Sequence, residues 1–548
     1  MPKPVQRTLL LSGGGNSTSN HYSQYLQAKR VEKFLSKEPG VALTTFFGSG
    51  LTPKSPASVP PDVSRDDGGG AIHFIRGEIP GNHAATYQNV QDYFKSKMAG
   101  NSWNLGDQFF LFVADHGMPN SWDPTDIEVG DENKEVPAYD NNCINLWMEE
   151  PSLYPEQQCL SVSTLKDWVQ TAIPKNVPVH FVMSQCYSGG FHLLGYDKDE
   201  KGFPHAEENI CGFTAITDDT TAAGCTSFVN EDVYDGYERR MAEAMTGLSI
   251  LTGESIGTPI LRLSEAHDKA IFLDNTKDVP LRTSESYLLD YWKAFARQES
   301  GKESAKNSDV VLDKQWKKLI DDRQKVLNTM SPSLRKDMER RLQLIDTLQK
   351  QVVKWNSEQK FLLDDADLAS IRQARKGIEG SISKLGEESA LLSEERREKS
   401  KPINTKYILS LKNPKTEGDR ERLEFLTLFE MDHDVVIARL KKEDPSLKKL
   451  ERFLKTEDDW KKNTLAWAEE DEKRAKPSEI QAIRDLLGRR QSVNVQKSRL
   501  ETVEGQLRRI EVQMQAAAVV AWLVENKSDP VLAEVASLVK CETEADTF

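Results

Sequence analysis

The chain has no run of ~20 apolar residues, the length a membrane-spanning helix needs, so no membrane partner is expected. It has no CxxC pair: its six cysteines stand apart at 143, 159, 186, 211, 225 and 541. That spacing predicts neither a zinc site nor a disulfide framework, and most of the cysteines are expected to be reduced and structural. It has no excess of positive charge. The formal net charge is −14, which argues against a nucleic-acid partner, since phosphate binding needs a basic patch. The apolar run in the N-terminal MPKPVQRTLLLSGGG is too short for a signal-peptide core. It reads as a first strand, and a cytoplasmic protein is expected. Glycine is scarce after about residue 290, and that scarcity divides the chain in two.

At 548 residues the chain exceeds one ordinary core. Residues 1–290 alternate strand-like and helix-like segments. TLLLS at 8–12, VALTTFF at 41–47, AIHFIRG at 71–77, 108–114, 179–185 and GFTAIT at 212–217 read as strands. Helical spacing occupies Tyr22 to about Leu35, 85–98, and STLKDWVQTAI, with Ser163 or Thr164 as N-cap. Residues 48–71 read as a long loop. The alternation predicts an α/β domain: a mostly parallel sheet flanked by helices.

Residues 291–540 are charged and helically periodic. Leu334, Met338, Ile345, Leu348, Val352 and Trp355 form one apolar face, and Leu500, Val503, Leu507, Ile510 and Met514 form a heptad seam. Breaks near Lys401-Pro402, Asn413-Pro414 and Pro477 predict helix–helix turns, hence an all-α helical bundle or coiled coil. AAAVVAWLV at 516–524 is apolar all round and should be buried. The acidic tail 541–548 is expected to fray.

Two apolar runs end on reactive side chains. FFLFVADHG delivers His116 ahead of Gly117, and VHFVMSQCYSGG delivers Cys186. Sheets of this class bind ligands at the carboxyl ends of their strands. Neighbouring strands ending in His and Cys would place a proton acceptor beside a nucleophile. The N–H groups of Gly117 and Cys186 would supply an oxyanion hole. Asp115 is a candidate for orienting the backbone there.

DHG at 115–117 and QCYSGGF at 185–191 resemble the two catalytic signatures of clan CD cysteine peptidases, nearest the bacterial caspase-like proteins of the C13, legumain-like type. SGGGNSTSNHY at 12–22 is similar to that family's loop after strand one. FTAITDDTTAAGC at 213–225 is similar to its post-cysteine strand and S1-lining loop. Residues 263–288 resemble the end of its catalytic domain. The resemblance covers roughly the first 290 residues. It implies a caspase-like fold and a cysteine endopeptidase working through a thioester, with Cys186 as nucleophile and His116 as general acid/base. No cofactor and no metal are expected. The substrate is a protein or peptide, and a regulated enzyme of this kind fits bacterial stress or defence.

The aspartate that marks metacaspases cutting after Lys or Arg is replaced here by Ser184. Asp218 and Asp219 stand where a pocket wall is expected and would pair with a basic P1 side chain. The His-to-Cys separation, about 70 residues, exceeds the ~50 of caspases. The surplus is the acidic insertion 118–161, with Asp123, Asp126, Glu128, Asp131, Glu132 and Asp140, which lacks EF-hand spacing. The helical half is expected to regulate the peptidase or to bind a protein activator. Two alternatives stay open: a non-catalytic scaffold or sensor built on this domain, and a peptide ligase or transpeptidase.

Overall fold

The computed structural model describes residues 4–54, 57–66, 72–98, 103–120, 141–148, 158–230, 234–299, 305–359, 367–411 and 477–546. Asn413-Pro414 and the six acidic residues named in the insertion lie outside them. The chain divides into two compact units: Met1–Gly377 with Glu501–Phe548, and Ile378–Leu500. The helices beyond residue 290 therefore do not all belong to one unit.

The first unit is built on a six-stranded sheet: β1 (Gln6–Ser12), β2 (Val41–Phe47), β3 (Gln108–Val113), β4 (Val179–Met183), β5 (Ile210–Thr214) and β6 (Leu281–Arg282). Their order is β6-β5-β4-β3-β1-β2. All neighbours are parallel except β6, which runs antiparallel to β5. Register makes the carboxyl ends level: Leu11 faces Val113, Val113 faces Met183, and Met183 faces Thr214. The strands are near-continuous apolar runs because both faces are covered. Leu9, Leu11, Phe109, Leu111, Val113, Phe181 and Met183 share one core with Val90, Phe94, Leu165 and Trp168. The alternate residues Leu10, Phe110, Phe112 and Val182 are buried as well.

The helices α1 (Tyr22–Leu35), α2 (Val162–Ala172), α3 (Tyr237–Thr246), α4 (Leu263–Leu273) and α5 (Thr283–Glu299) belong to this unit. The N-cap of α2 is Ser161, whose hydroxyl accepts from Thr164 N at 3.2 Å. The cap therefore precedes Ser163, the earlier of the two expected. The segment 48–71 is not all loop: Asp62–Asp66 pairs antiparallel with Ile72–Arg76, outside the main sheet.

Further along are α6 (Pro332–Gln359), α7 (Leu368–Leu411), α8 (Pro477–Glu525) and α9 (Asp529–Glu544). Leu334, Met338, Ile345, Leu348 and Val352 of α6 are buried, as are Val503, Leu507, Ile510 and Met514 of α8. Ala516 to Ala521 are buried with Leu523. α8 starts at Pro477, where a break was expected. No turn occurs at Lys401-Pro402, because α7 runs through it. One proline removes a single N–H from the ladder, at a cost of about 3 kcal/mol, and does not end this helix. The described part of the second unit is helical and packs through Leu385, Leu392, Leu486 and Val493.

The described part of the tail, residues 541–546, is not frayed as expected. Glu542 is fully buried and accepts from Ser284 N (2.6 Å) and Ser284 Oγ (2.8 Å). Leu263 N donates to Ala545 O at 3.0 Å. Cys541 is joined to Cys211 of β5 in a disulfide, and a second disulfide joins Cys143 to Cys159. Only Cys186 and Cys225 are free. The expectation of reduced cysteines is corrected here. Linear spacing hid the pairs because one joins facing segments of a small antiparallel sheet and the other spans 330 residues. Among the described residues no helix is long and apolar enough to cross a membrane.

Candidate active site

The strand order reverses between β1 and β3, and at such a switch point the loops beyond the strand ends diverge to leave a crevice. The loop after β1 carries Gly13, Gly14 and Gly15. Gly14 has φ +68°, where a side chain would be strained, and a Cβ there would lie 2.7 Å from Asn20 Cα. Asp115, at the end of β3, ties this loop down. One carboxylate oxygen accepts from Gly13 N, and the other from Gly14 N (2.8 Å) and His116 N (2.6 Å). Burial pushes the Asp115 pKa up to about 6 against those three donors.

His116 is half-buried. Its Nε2 lies 2.7 Å from Ser19 O. A carbonyl only accepts, so Nε2 carries the proton and Nδ1 of the neutral ring keeps its lone pair. The His21 ring meets the His116 ring edge-on, centroids 4.7 Å apart. Burial first, and the neighbouring His116 second, lower the His21 pKa to about 4, so His21 is neutral at pH 7.

Cys186 stands just beyond β4. A Cβ on Gly117 would lie 1.7 Å from Cys186 O. Only glycine permits that approach, which sets the two expected oxyanion donors on touching segments. The residue after Cys186, Tyr187, has φ 56°, a left-handed turn that costs roughly 1–2 kcal/mol outside glycine. Tyr187 N is held by Thr220 O at 2.9 Å. The Cys186 thiol donates to Ala222 O at 3.8 Å. Hydrogen bonding with the Cys225 side chain, then burial, hold that thiol well above the ordinary cysteine pKa. Cys225 Sγ in turn lies 3.4 Å from Asp115 O. The His116 ring and Cys186 thereby sit on adjacent strand ends, each hydrogen-bonded elsewhere.

The expected substrate-binding residues are distributed around Cys186. Ser184 is buried, with Oγ 2.9 Å from Val113 O and 3.3 Å from Gln27 Oε1. A Cβ on Gly189 would meet Asp218 N at 2.5 Å, so the end of β5 lies against the turn after Cys186. Asn142 Nδ2 donates to both Asp218 O (2.8 Å) and Tyr187 O (3.2 Å), bracing those two segments. Asp219 accepts from Thr217 Oγ1 (2.6 Å) and from Arg508 Nη2 (3.2 Å). Burial raises its pKa, but these two donors outweigh it and leave the carboxyl below its ordinary value.

Sequence reasoning did not single out His21, Cys225, Glu238 or Asp278. The first two stand inside the 12–22 and 213–225 stretches, but only tertiary contact reveals their neighbours. Glu238 is buried against Gly224, and burial together with Asp278 raises its pKa strongly. Asp278, pushed up to about 7 by burial and Asp274, accepts from Ala223 N at 2.7 Å. A ring nitrogen of His180, Cys211 Sγ and Cys541 Sγ also gather, within 4.8 Å of one another. The disulfide leaves no thiolate there for a metal. No protein-family profile matches this chain, and no curated protein matches it.

Proposed function

We propose that the protein is a cysteine endopeptidase of the clan CD, caspase-like type that cuts after a basic residue. The observation that carries this reading is the placement of His116 and Cys186 at the level ends of adjacent parallel strands, with Gly117 against the Cys186 carbonyl. Five parallel strands closed by one antiparallel edge strand support the same fold reading.

In the reaction, the Cys186 thiol gives its proton to His116 Nδ1, and Sγ attacks the peptide carbonyl carbon. The N–H groups of Gly117 and Cys186 hold the resulting oxyanion. The C–N bond breaks as His116 returns the proton to the leaving amine. Water then hydrolyses the thioester, releasing the acid and restoring the thiol. For this, Sγ must leave Ala222 O and the Cys225 side chain, so the 217–225 loop shifts before chemistry.

The test is a panel of fluorogenic peptides with Arg, Lys, Asn and Asp at P1, run on the wild type and Cys186→Ala. Turnover after Arg or Lys that disappears in Cys186→Ala supports the reading. Turnover after Asn or Asp keeps the dyad and removes Asp219 as the specificity acid. Joined products in the presence of an added amine indicate a ligase. Silence throughout, including toward a thiol-reactive peptide probe, favours the scaffold alternative.

A further inference from the structure

Arg508 and Arg509 are consecutive on α8 and do different work. Arg509 is buried and anchors the helix. Its guanidinium donates to Asp278 O (2.6 Å), Asp274 O (2.8 Å) and Thr276 O (2.7 Å), and pairs with the Asp274 carboxylate at 2.7 Å. One turn earlier, a Cβ on Gly505 would lie 2.6 Å from Lys277 Cα. The backbone of α8 is therefore seated directly on the 274–278 segment.

From this anchored position Arg508 Nη2 reaches Asp219 Oδ1 (3.2 Å), Asp219 Oδ2 (3.5 Å) and Thr217 Oγ1 (3.3 Å). A guanidinium on a carboxylate and a hydroxyl at the carboxyl end of β5 is the contact a basic substrate side chain would make. The loop that begins here is the one covering Cys186. Thr220 O accepts from Tyr187 N, and Ala222 O accepts from the Cys186 thiol. The far part of the loop is held too. Asp278 Oδ1 accepts from Ala223 N, and Arg509 grips the Asp278 carbonyl.

We propose that Arg508 is an internal stand-in for a basic substrate side chain: it occupies the Thr217–Asp219 cation site and latches the 217–225 loop over Cys186. The substrate class rests on the peptidase reading above; the latch does not. A substrate Arg or Lys competes with Arg508 for Asp219, and the pair is exposed enough to be displaced, with side-chain exposures of 25% and 52%.

The experiment uses the full chain as wild type, Arg508→Ala, Arg508→Lys and Asp219→Asn. Two rates are read: iodoacetamide alkylation of Cys186, resolved from Cys225 by peptide mass mapping, and cleavage of a fluorogenic peptide with arginine at P1. Arg508→Ala and Asp219→Asn are expected to alkylate about fivefold faster, the scale of a partly exposed ion pair, with Arg508→Lys close to wild type. Arg508→Ala also gains cleavage of the arginine peptide, whereas Asp219→Asn, having lost the cation site, does not. Unchanged alkylation in both Arg508→Ala and Asp219→Asn overturns the latch, even if the wild type cleaves peptides. Faster alkylation with no Cys186-dependent cleavage in any variant keeps the latch and overturns the peptidase reading.

Discussion

His116 Nε2 donates to Ser19 O at 2.7 Å, and this one hydrogen bond decides which ring nitrogen is available for chemistry. The acceptor belongs to the loop after β1, not to the sheet strand that carries the histidine, so two loops must be correctly folded for Nδ1 to be bare. Replacing His116 by Ala is expected to lower peptide turnover by about 10²–10⁴-fold. Cys186→Ala should abolish it. Initial rates on an arginine peptide at pH 7 check both.

Asp115 accepts three backbone N–H groups, from the loops after β1 and β3. Asp115→Ala leaves those donors buried without partners, at about 1–3 kcal/mol each. The expected result is a loss of at least about 3 kcal/mol in urea unfolding. Asp115→Asn retains one carbonyl acceptor and should lose less.

Arg341 is fully buried and bridges Glu285 (2.8 Å) and Asp337 (2.6 Å), linking α6 to α5. Arg341→Ala removes this bridge but leaves Arg340 beside Asp337 (2.9 Å) and Glu285 (3.7 Å), so the loss should be about 3 kcal/mol, the low end for breaking a buried pair. Arg335→Ala breaks the exposed pair with Glu339 and should move stability by under about 1 kcal/mol. Parallel denaturant melts of the two variants make the comparison.

Burial raises the Glu542 pKa from 4.5 to about 7. The folded state therefore holds this proton over a pH range in which the unfolded chain has released it. Its stability contribution is full below pH 4.5 and is lost as pH rises through 7. Glu542→Gln should gain on the wild type across that window, by about 3 kcal/mol at its limit. Unfolding free energies of both proteins at pH 4.5, 6 and 8 test the sign. A gap that narrows with rising pH contradicts it.

Cytosolic reductants keep thiols reduced, and a fully reduced chain would present six. The structure has two, Cys186 and Cys225. Thiol titration of the unreduced, denatured protein should return two, and six after reduction. Cys541→Ser opens the long-range disulfide and is expected to destabilise by about 2–5 kcal/mol.

The parallel strands were legible because doubly covered strands must be apolar along their length, as QFFLFV and VHFVM are. The buried stripes of α6 and α8 were legible from their three-and-four spacing. His116 and Cys186 stood out for the same reason: an apolar strand that stops on a reactive side chain and glycine is a local pattern. Their neighbours were not local. His21 and Cys225, and the Arg508 that pairs with Asp219, come from elsewhere in the chain, and nothing in spacing or periodicity encodes those contacts. The docked tail is the same case. A short acidic segment reads as frayed until Ser284 and Cys211 are placed against it.

What the sequence determined by itself is periodicity and punctuation: where the main parallel strands and amphipathic helices lie, and which two side chains end the central strands. Tertiary structure decided the partners. It paired four cysteines and chose the His116 tautomer. It raised the Cys186 thiol pKa through Cys225 and burial, and it filled the Asp219 carboxylate with an arginine from 289 residues away. The physical reason is range. Propensity and hydrophobic pattern act over a few residues, whereas hydrogen bonds, ion pairs and desolvation depend on what packing brings within a few ångströms, whatever the separation along the chain.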